Sequence, residues 1–193
     1  MTTNVLFAGV GGQGIVTASD VLAQAALAAG WSVKKAETHG MAQRGGSVVS
    51  HVRFSADGQV FSPLIPAGEA DLLVALEVLE GLRWLWMLRQ DGRVVCDDRR
   101  IPPITVASGK GRYPADAEER VAQRGVLVPA TREAGELGEP RAANAVVLGA
   151  LSRFLGISEE AWTAAFAERL KARALAVNRE AFARGQVLVG ISS

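Results

Sequence analysis

The feature that most constrains this chain is a run of six residues near its start, Gly9-Val10-Gly11-Gly12-Gln13-Gly14. It follows a short apolar run, Val5–Ala8, that reads as a buried strand. It opens Gln13–Ala29, a stretch of good helix formers with Ile15, Ala18, Leu22 and Ala26 at helical spacing and Gly30 as the stop. Glycine allows the tight turn and leaves room for a ligand to approach the backbone. Free amides at the helix start then face an anion, helped by the positive end of the helix dipole. The spacing fits Gly-x-Gly-x-x-Gly. It reads either as a phosphate or nucleotide seat or as a tight strand-to-helix turn with no ligand. Gly9, Gly11, Gly12, Gln13 and Gly14 are therefore candidate cofactor-binding residues. Gln13 has two open roles, capping the helix or touching the ligand.

A second motif modifies that reading. In a dinucleotide-binding unit an acidic residue follows about 20 residues on and binds the ribose. Glu37 sits near that place, but Thr38-His39-Gly40-Met41-Ala42-Gln43-Arg44-Gly45-Gly46 follows it in place of a second helix, which weakens the case for NAD. Glu37–Gly46 reads as a loop dense in ligand-binding groups. His39 and Arg44 are the candidate catalytic residues, Arg44 through bidentate contact with a carboxylate or phosphate. Gly45 and Gly46 allow close approach and join the cofactor-binding candidates. The competing reading is a solvated turn with Arg44 paired to Glu37. Since the loop starts where a second strand, Ser32–Lys35, ends, it is expected beside the glycine turn.

Further along, Ser47–Phe54 alternates as a strand with Val48, Val52 and Phe54 on one face. An Asp57-Gly58 turn and Val60–Ile65 suggest an antiparallel hairpin over 47–65, its second arm ended by Pro63 and Pro66. His51 is expected to pack or to form an interface. Asp71–Ala75, Arg93–Cys96, Ile104–Ala107 and Val126–Val128 read as strands, and Glu77–Gln90 and Ala115–Arg124 as helices. Trp84 and Trp86 should face different directions, one as core and one as a partner-subunit anchor. Ser108-Gly109-Lys110-Gly111 lacks the flanking residues of a Walker motif. From Pro140 the chain is helical over Ala142–Leu155, Glu159–Lys171 and Ala174–Arg184, with Ser158 as an N-cap. The expected fold is α/β, three-layered: a mixed sheet with a Rossmann-like N-terminal βα unit, an antiparallel hairpin and a helical C-terminal region. Residues 1–193 are read as a single domain, with an α/β part over 1–139 and a helical part over 140–185.

Composition removes several functions. The 193 residues carry 21 Lys+Arg against 20 Asp+Glu, a formal charge of +1, with no basic stripe, which argues against nucleic acid. One cysteine, Cys96, makes neither an internal disulfide nor a four-thiolate cluster, and two histidines argue against a zinc site built from Cys and His. No metal site is expected. No basic leader or run of about 18 apolar residues is visible, so no membrane is expected and the cytoplasm is the expected compartment.

The pair "GVGGQG" at 9–14 and "ETHGMAQRGGSVVSHVR" at 37–53 resembles the gamma-type subunits of 2-oxoacid:ferredoxin oxidoreductases, most of all indolepyruvate ferredoxin oxidoreductase beta subunits. "NAVVLGALSRFLGI" at 144–157 is similar to the C-terminal region of that family, and Asn144 is carried over as a cofactor-binding position, with a helix cap as its other reading. The similarity spans roughly residues 4–185. It implies oxidative decarboxylation of a 2-oxoacid of the indolepyruvate, pyruvate or ketoisovalerate type to an acyl-coenzyme A, with electrons passed to ferredoxin. It also implies that thiamine diphosphate, magnesium and iron–sulfur clusters sit on a partner chain, since this sequence has no Gly-Asp-Gly…Asn-Asn pattern and a single cysteine. The isolated chain should be inactive, with a homodimer as one option for it. Within the complex it would enclose the active site or hold the phosphates of coenzyme A. Two rivals are open: a stand-alone NAD(P)-binding oxidoreductase, which needs a helical crossover to a third parallel strand, and a nucleotide-binding assembly or regulatory module, which predicts no concave pocket beside the helix start.

Overall fold

The computed structural model describes residues 1–39 and 46–190, without the side chain of residue 39. Its strands are β1 (Thr2–Val10), β2 (Ser32–His39), β3 (Ser47–Ser55), β4 (Ala70–Ala75), β5 (Leu88–Asp97) and β6 (Gly125–Val128). Its helices are α1 (Ile15–Ala28), α2 (Val78–Trp84), α3 (Ile104–Ala107), α4 (Ala117–Ala122), α5 (Ala130–Glu136), α6 (Ala143–Ser152), α7 (Glu159–Arg169) and α8 (Ala172–Leu188). The sheet order is β2-β3-β1-β4-β5-β6. β1, β4, β5 and β6 run parallel, and β3 is antiparallel to both of its neighbours. The fold is the expected three-layer α/β arrangement on a mixed sheet.

Strand alternation sorts the core into two layers. Val5 and Phe7 of β1 point to one face, where α1, α5 and α6 cover the sheet and α7 and α8 pack on α1 and α6. Leu6 and Ala8 point to the other face, under α2 and α4. Thus β1→α1→β2 leads to one side of β1, while β4→α2→β5 leads to the other. The crevice between β1 and β4 is the point where strand order reverses, the place at which open α/β sheets bind ligands.

Several expectations are corrected. The hairpin is made by β2 and β3, not by 47–65. Residues 60–65 form no strand. The Val60 amide donates to Ser32 Oγ (3.0 Å), and the Ile65 amide donates to His51 Nδ1 (3.2 Å). Glu37, Thr38 and the backbone of His39 belong to β2 rather than to a loop. Ile104–Ala107 is one helical turn, not a strand, because Pro103 accepts from the Val106 and Ala107 amides. The helix from residue 78 ends in a 3₁₀ turn at Leu85–Met87, and Leu88–Gln90 already belong to β5. Trp84 and Trp86 do not diverge, since that turn lets their rings stack 5.8 Å apart, Trp84 half-buried and Trp86 exposed. His51 packs as expected, 8% exposed, and burial holds its pKa below 6.5.

Candidate functional site

The carboxyl ends of the parallel strands and the start of β3 share one end of the sheet. Val10 lies opposite Ser47 and His39 opposite Val48. The Gly46 carbonyl accepts from the Gly11 amide (2.8 Å), so the exit of the 37–46 motif is pinned to the glycine turn, as its position between two strands predicts. Arg44 and Gly45 lie outside the described residues, as does the side chain of His39. Glu37 pairs with Lys35 Nζ (2.7 Å), which also bonds Asp20 (2.5 Å).

The glycine turn is a built structure. Gly12 (φ 100°) and Gly14 (φ 81°) are left-handed, which a side chain would resist. Gly9 lacks room for a Cβ, because Ile15 and Gln13 press on it. Gln13 does not cap the helix, although it lines the cleft between α1, α6 and α8. Its Oε1 accepts from the Val10 amide (2.7 Å) and its Nε2 donates to the Leu76 carbonyl (2.6 Å), lacing the ends of β1 and β4 across the crevice. The Gly11 and Gln13 amides are likewise used internally, the latter by the Val10 carbonyl. The amides that remain for a ligand among the described residues are those of Gly12, Gly14 and the first turn of α1. The free amides therefore gather at the helix start rather than over the whole turn.

Asn144 does not cap its own helix. Its Nδ2 donates to the Gly14 carbonyl (3.1 Å), so a residue 130 positions away closes the turn from the α6 side. Between α1, α6 and α8 opens a cleft of about 690 Å³. Its floor holds Leu76 and Asp97, from the ends of β4 and β5. Asp97 is 2% exposed and accepts from the Thr131 amide (3.2 Å) and hydroxyl (2.5 Å) at the start of α5; burial raises its pKa, partly countered by those bonds.

Helix starts differ in how they are capped. α2 and α7 are capped by Glu77 and Ser158 and carry carboxylates in their first turns. α1 and α8 have no side-chain cap and no acidic residue in the first turn, and both begin on the cleft; α6 continues the 3₁₀ turn Pro140–Ala142, whose start is capped by the Glu139 carboxylate. A helix start without a carboxylate leaves its positive dipole end uncompensated. Two such starts around one concavity favour an anionic ligand. The concave pocket also opposes the assembly-module rival. Sequence reasoning found the wall formed by residues 12–14 and Asn144. It missed Asp97, Arg99, Thr131 and the α7–α8 wall, although Lys171 and Arg173 flanking a helix start, where acids are favoured, were a readable signal.

Comparison with known proteins agrees with this geometry. Residues 4–187 match the family model described as pyruvate ferredoxin/flavodoxin oxidoreductase. The chain belongs to that family. The indolepyruvate oxidoreductase subunit IorB of Archaeoglobus fulgidus is 40% identical over 192 residues, covering 96% of this chain and 94% of that protein. The gamma subunit of a keto/oxoacid ferredoxin oxidoreductase from Geobacter sulfurreducens superposes with a TM-score of 0.75 at 25% identity, covering 98% of this chain and 97% of that one. A 2-oxoglutarate:ferredoxin oxidoreductase from Magnetococcus marinus, solved with 2-oxoglutarate, coenzyme A and succinyl-CoA bound, shares the fold with a TM-score of 0.76 at 24% identity. That match covers 97% of this chain and 31% of the longer Magnetococcus chain. The family assignment makes this chain an oxidoreductase subunit of the 2-oxoacid ferredoxin type. The stand-alone nicotinamide reading loses on that ground and on topology, since β2 leads into an antiparallel strand.

Proposed function

We propose that this chain is the gamma-type subunit of a complex that oxidatively decarboxylates an aryl 2-oxoacid such as indolepyruvate, and that its cleft holds the phosphates of coenzyme A. The overall change is 2-oxoacid + coenzyme A + 2 oxidised ferredoxin → acyl-coenzyme A + CO₂ + 2 reduced ferredoxin + H⁺. The observation that carries the reading is the convergence of two uncapped helix starts, those of α1 and α8, on one cleft in a chain of this family. The coenzyme A in the Magnetococcus neighbour supports the ligand, and the identity to the Archaeoglobus subunit supports the substrate class.

Gly12, Gly14 and the first turn of α1 would donate amides to the phosphates. Asn144 would hold Gly14 in place rather than touch the ligand, and Gln13 would keep the strand ends closed beneath it. Carbanion stabilisation and electron transfer come from thiamine diphosphate and iron–sulfur clusters on the partner subunit. This chain's only thiol, Cys96, is fully buried, and desolvation with nearby carboxylates pushes its pKa well up, the opposite of a ligating thiolate. His39, Arg44, Gly45 and Gly46 would meet the 2-oxoacid or a cofactor from the β2–β3 side. Residues 1–193 form one domain in this reading, because the helical part packs on α1 and the sheet. The complex is cytoplasmic and hands its electrons to ferredoxin.

Calorimetry of the full chain and of the reconstituted complex with coenzyme A, NADH and NADPH tests this. The complex should bind coenzyme A alone and turn over indolepyruvate faster than pyruvate. Tight NADH binding, about 1 μM, by the isolated chain would overturn it.

A further inference from the structure

Five cationic side chains line the cleft: Arg99, Arg141, Arg169, Lys171 and Arg173. Arg169 is paired with Asp20. Among the described residues Arg99, Arg141, Lys171 and Arg173 have no carboxylate within ion-pair distance. They are set by three separate places in the fold: the end of β5, the 3₁₀ turn Pro140–Ala142 before α6, and the start of α8. Two carboxylates share the lining, and both have other work: Asp97 is held by Thr131, and Glu139 accepts from the Arg141 amide (3.3 Å). Elsewhere arginines are commonly paired, as Arg83 is with Glu80, Arg89 with Asp71, Arg100 with Glu118 and Arg184 with Glu133.

The placement of Lys171 and Arg173 adds a second observation. They sit at the N-cap and in the first turn of α8, a 17-residue helix, where the dipole repels cations. Positive side chains on a positive helix end cost stability in the empty state. A dianion between them would reverse that cost.

We propose that Arg141, Lys171 and Arg173 form a second anion seat, distinct from the α1 amides, that takes a phosphomonoester dianion, and that this seat reads the 3′-phosphate of coenzyme A. The inference rests on the reading of the cleft as a coenzyme A site. A ligand with a diphosphate at one place and a monoester at another needs two seats, and the cleft offers amides at the start of α1 and cationic side chains before α6 and at the start of α8. Arginine suits the monoester because its planar fork meets two phosphate oxygens.

The test measures KM for coenzyme A and for 3′-dephospho-coenzyme A in the reconstituted complex, wild type against Arg141→Gln/Arg173→Gln. Both residues are exposed, and a melting curve on the double variant checks that it folds. Wild type should show a KM ratio, dephospho over intact, of about tenfold or more, and the variant's ratio should fall toward one. Adenosine 3′,5′-bisphosphate should inhibit wild type more strongly than AMP, and the variant should lose that difference. Equal KM values for the two cosubstrates in wild type, or a ratio unmoved by the substitutions, overturn the second seat and leave the coenzyme A reading standing. Failure of the complex to use either cosubstrate overturns both.

Discussion

Glycines do opposite jobs at the two ends of this chain. Gly12 and Gly14 are needed for their backbone angles, and open space surrounds a Cβ built on Gly12. Gly149 and Gly185 have ordinary helical backbone and no space at all. A Cβ on Gly149 would lie within 2.8 Å of the Phe182 carbonyl carbon, and one on Gly185 within 2.8 Å of that of Val146. The two contacts are reciprocal, so α6 and α8 touch backbone to backbone where they cross. The first pair shapes a seat for a ligand. The second pair fixes the helix that carries the opposite wall of the cleft. A glycine at a functional site and a glycine in the packing thus answer to different tests, conformation for one and clearance for the other.

The comparison orders the expected effects. Gly149→Ala should be the most damaging, since backbone atoms cannot give way: about 3 kcal/mol, or a fall of roughly 9 °C in Tm for a chain of this size. A melt within about 2 °C of wild type would show that α6 and α8 separate freely. Gly14→Ala comes next, at about 2 kcal/mol, because it adds left-handed strain to a collision with the Asn144 carboxamide. Adding Asn144→Ala should recover part of this loss in melting temperature but none of the coenzyme A affinity. Gly12→Ala should cost about 1 kcal/mol, from strain alone. Its larger effect should be on KM for coenzyme A, which separates the seat from the scaffold.

The smallest effect is a pH dependence far from the cleft. His51 is buried with its Nδ1 accepting from the Ile65 amide, and burial lowers its pKa below 6.5. The unfolded chain therefore binds this proton at a pH where the folded one does not. The His51 contribution is fully present above pH 6.5 and is lost as the pH falls through the lower folded value. Chemical denaturation at pH 7.5 and pH 5.5 should show this fall, and His51→Gln should flatten it. An unchanged slope would assign the loss to other groups.

Much of this was legible from sequence where the physics is local. The βα unit at 2–28, the alternation in 47–55 and the Ser158 cap each rest on near neighbours, and each was readable. Residues 60–65 carry the pattern of a strand without forming one, because Val60 and Ile65 are buried like strand residues while their amides are taken by the side chains of Ser32 and His51. Periodicity cannot distinguish those partners from a neighbouring strand. Half of the cleft was legible for the same reason that half was not. The glycine turn announces itself in six residues, whereas Arg99, Arg141, Lys171 and Arg173 are scattered over 75 positions and meet only through the crossing of α6 and α8.

Hydrogen–deuterium exchange of the assembled complex, with and without coenzyme A, tests the central claim most directly because it reads main-chain amides themselves. Exchange at residues 12–17 and at the start of α8 should slow when coenzyme A is added, with the capped start of α2 unaffected. Protection confined to other segments, with residues 12–17 exchanging as fast as before, would contradict that claim.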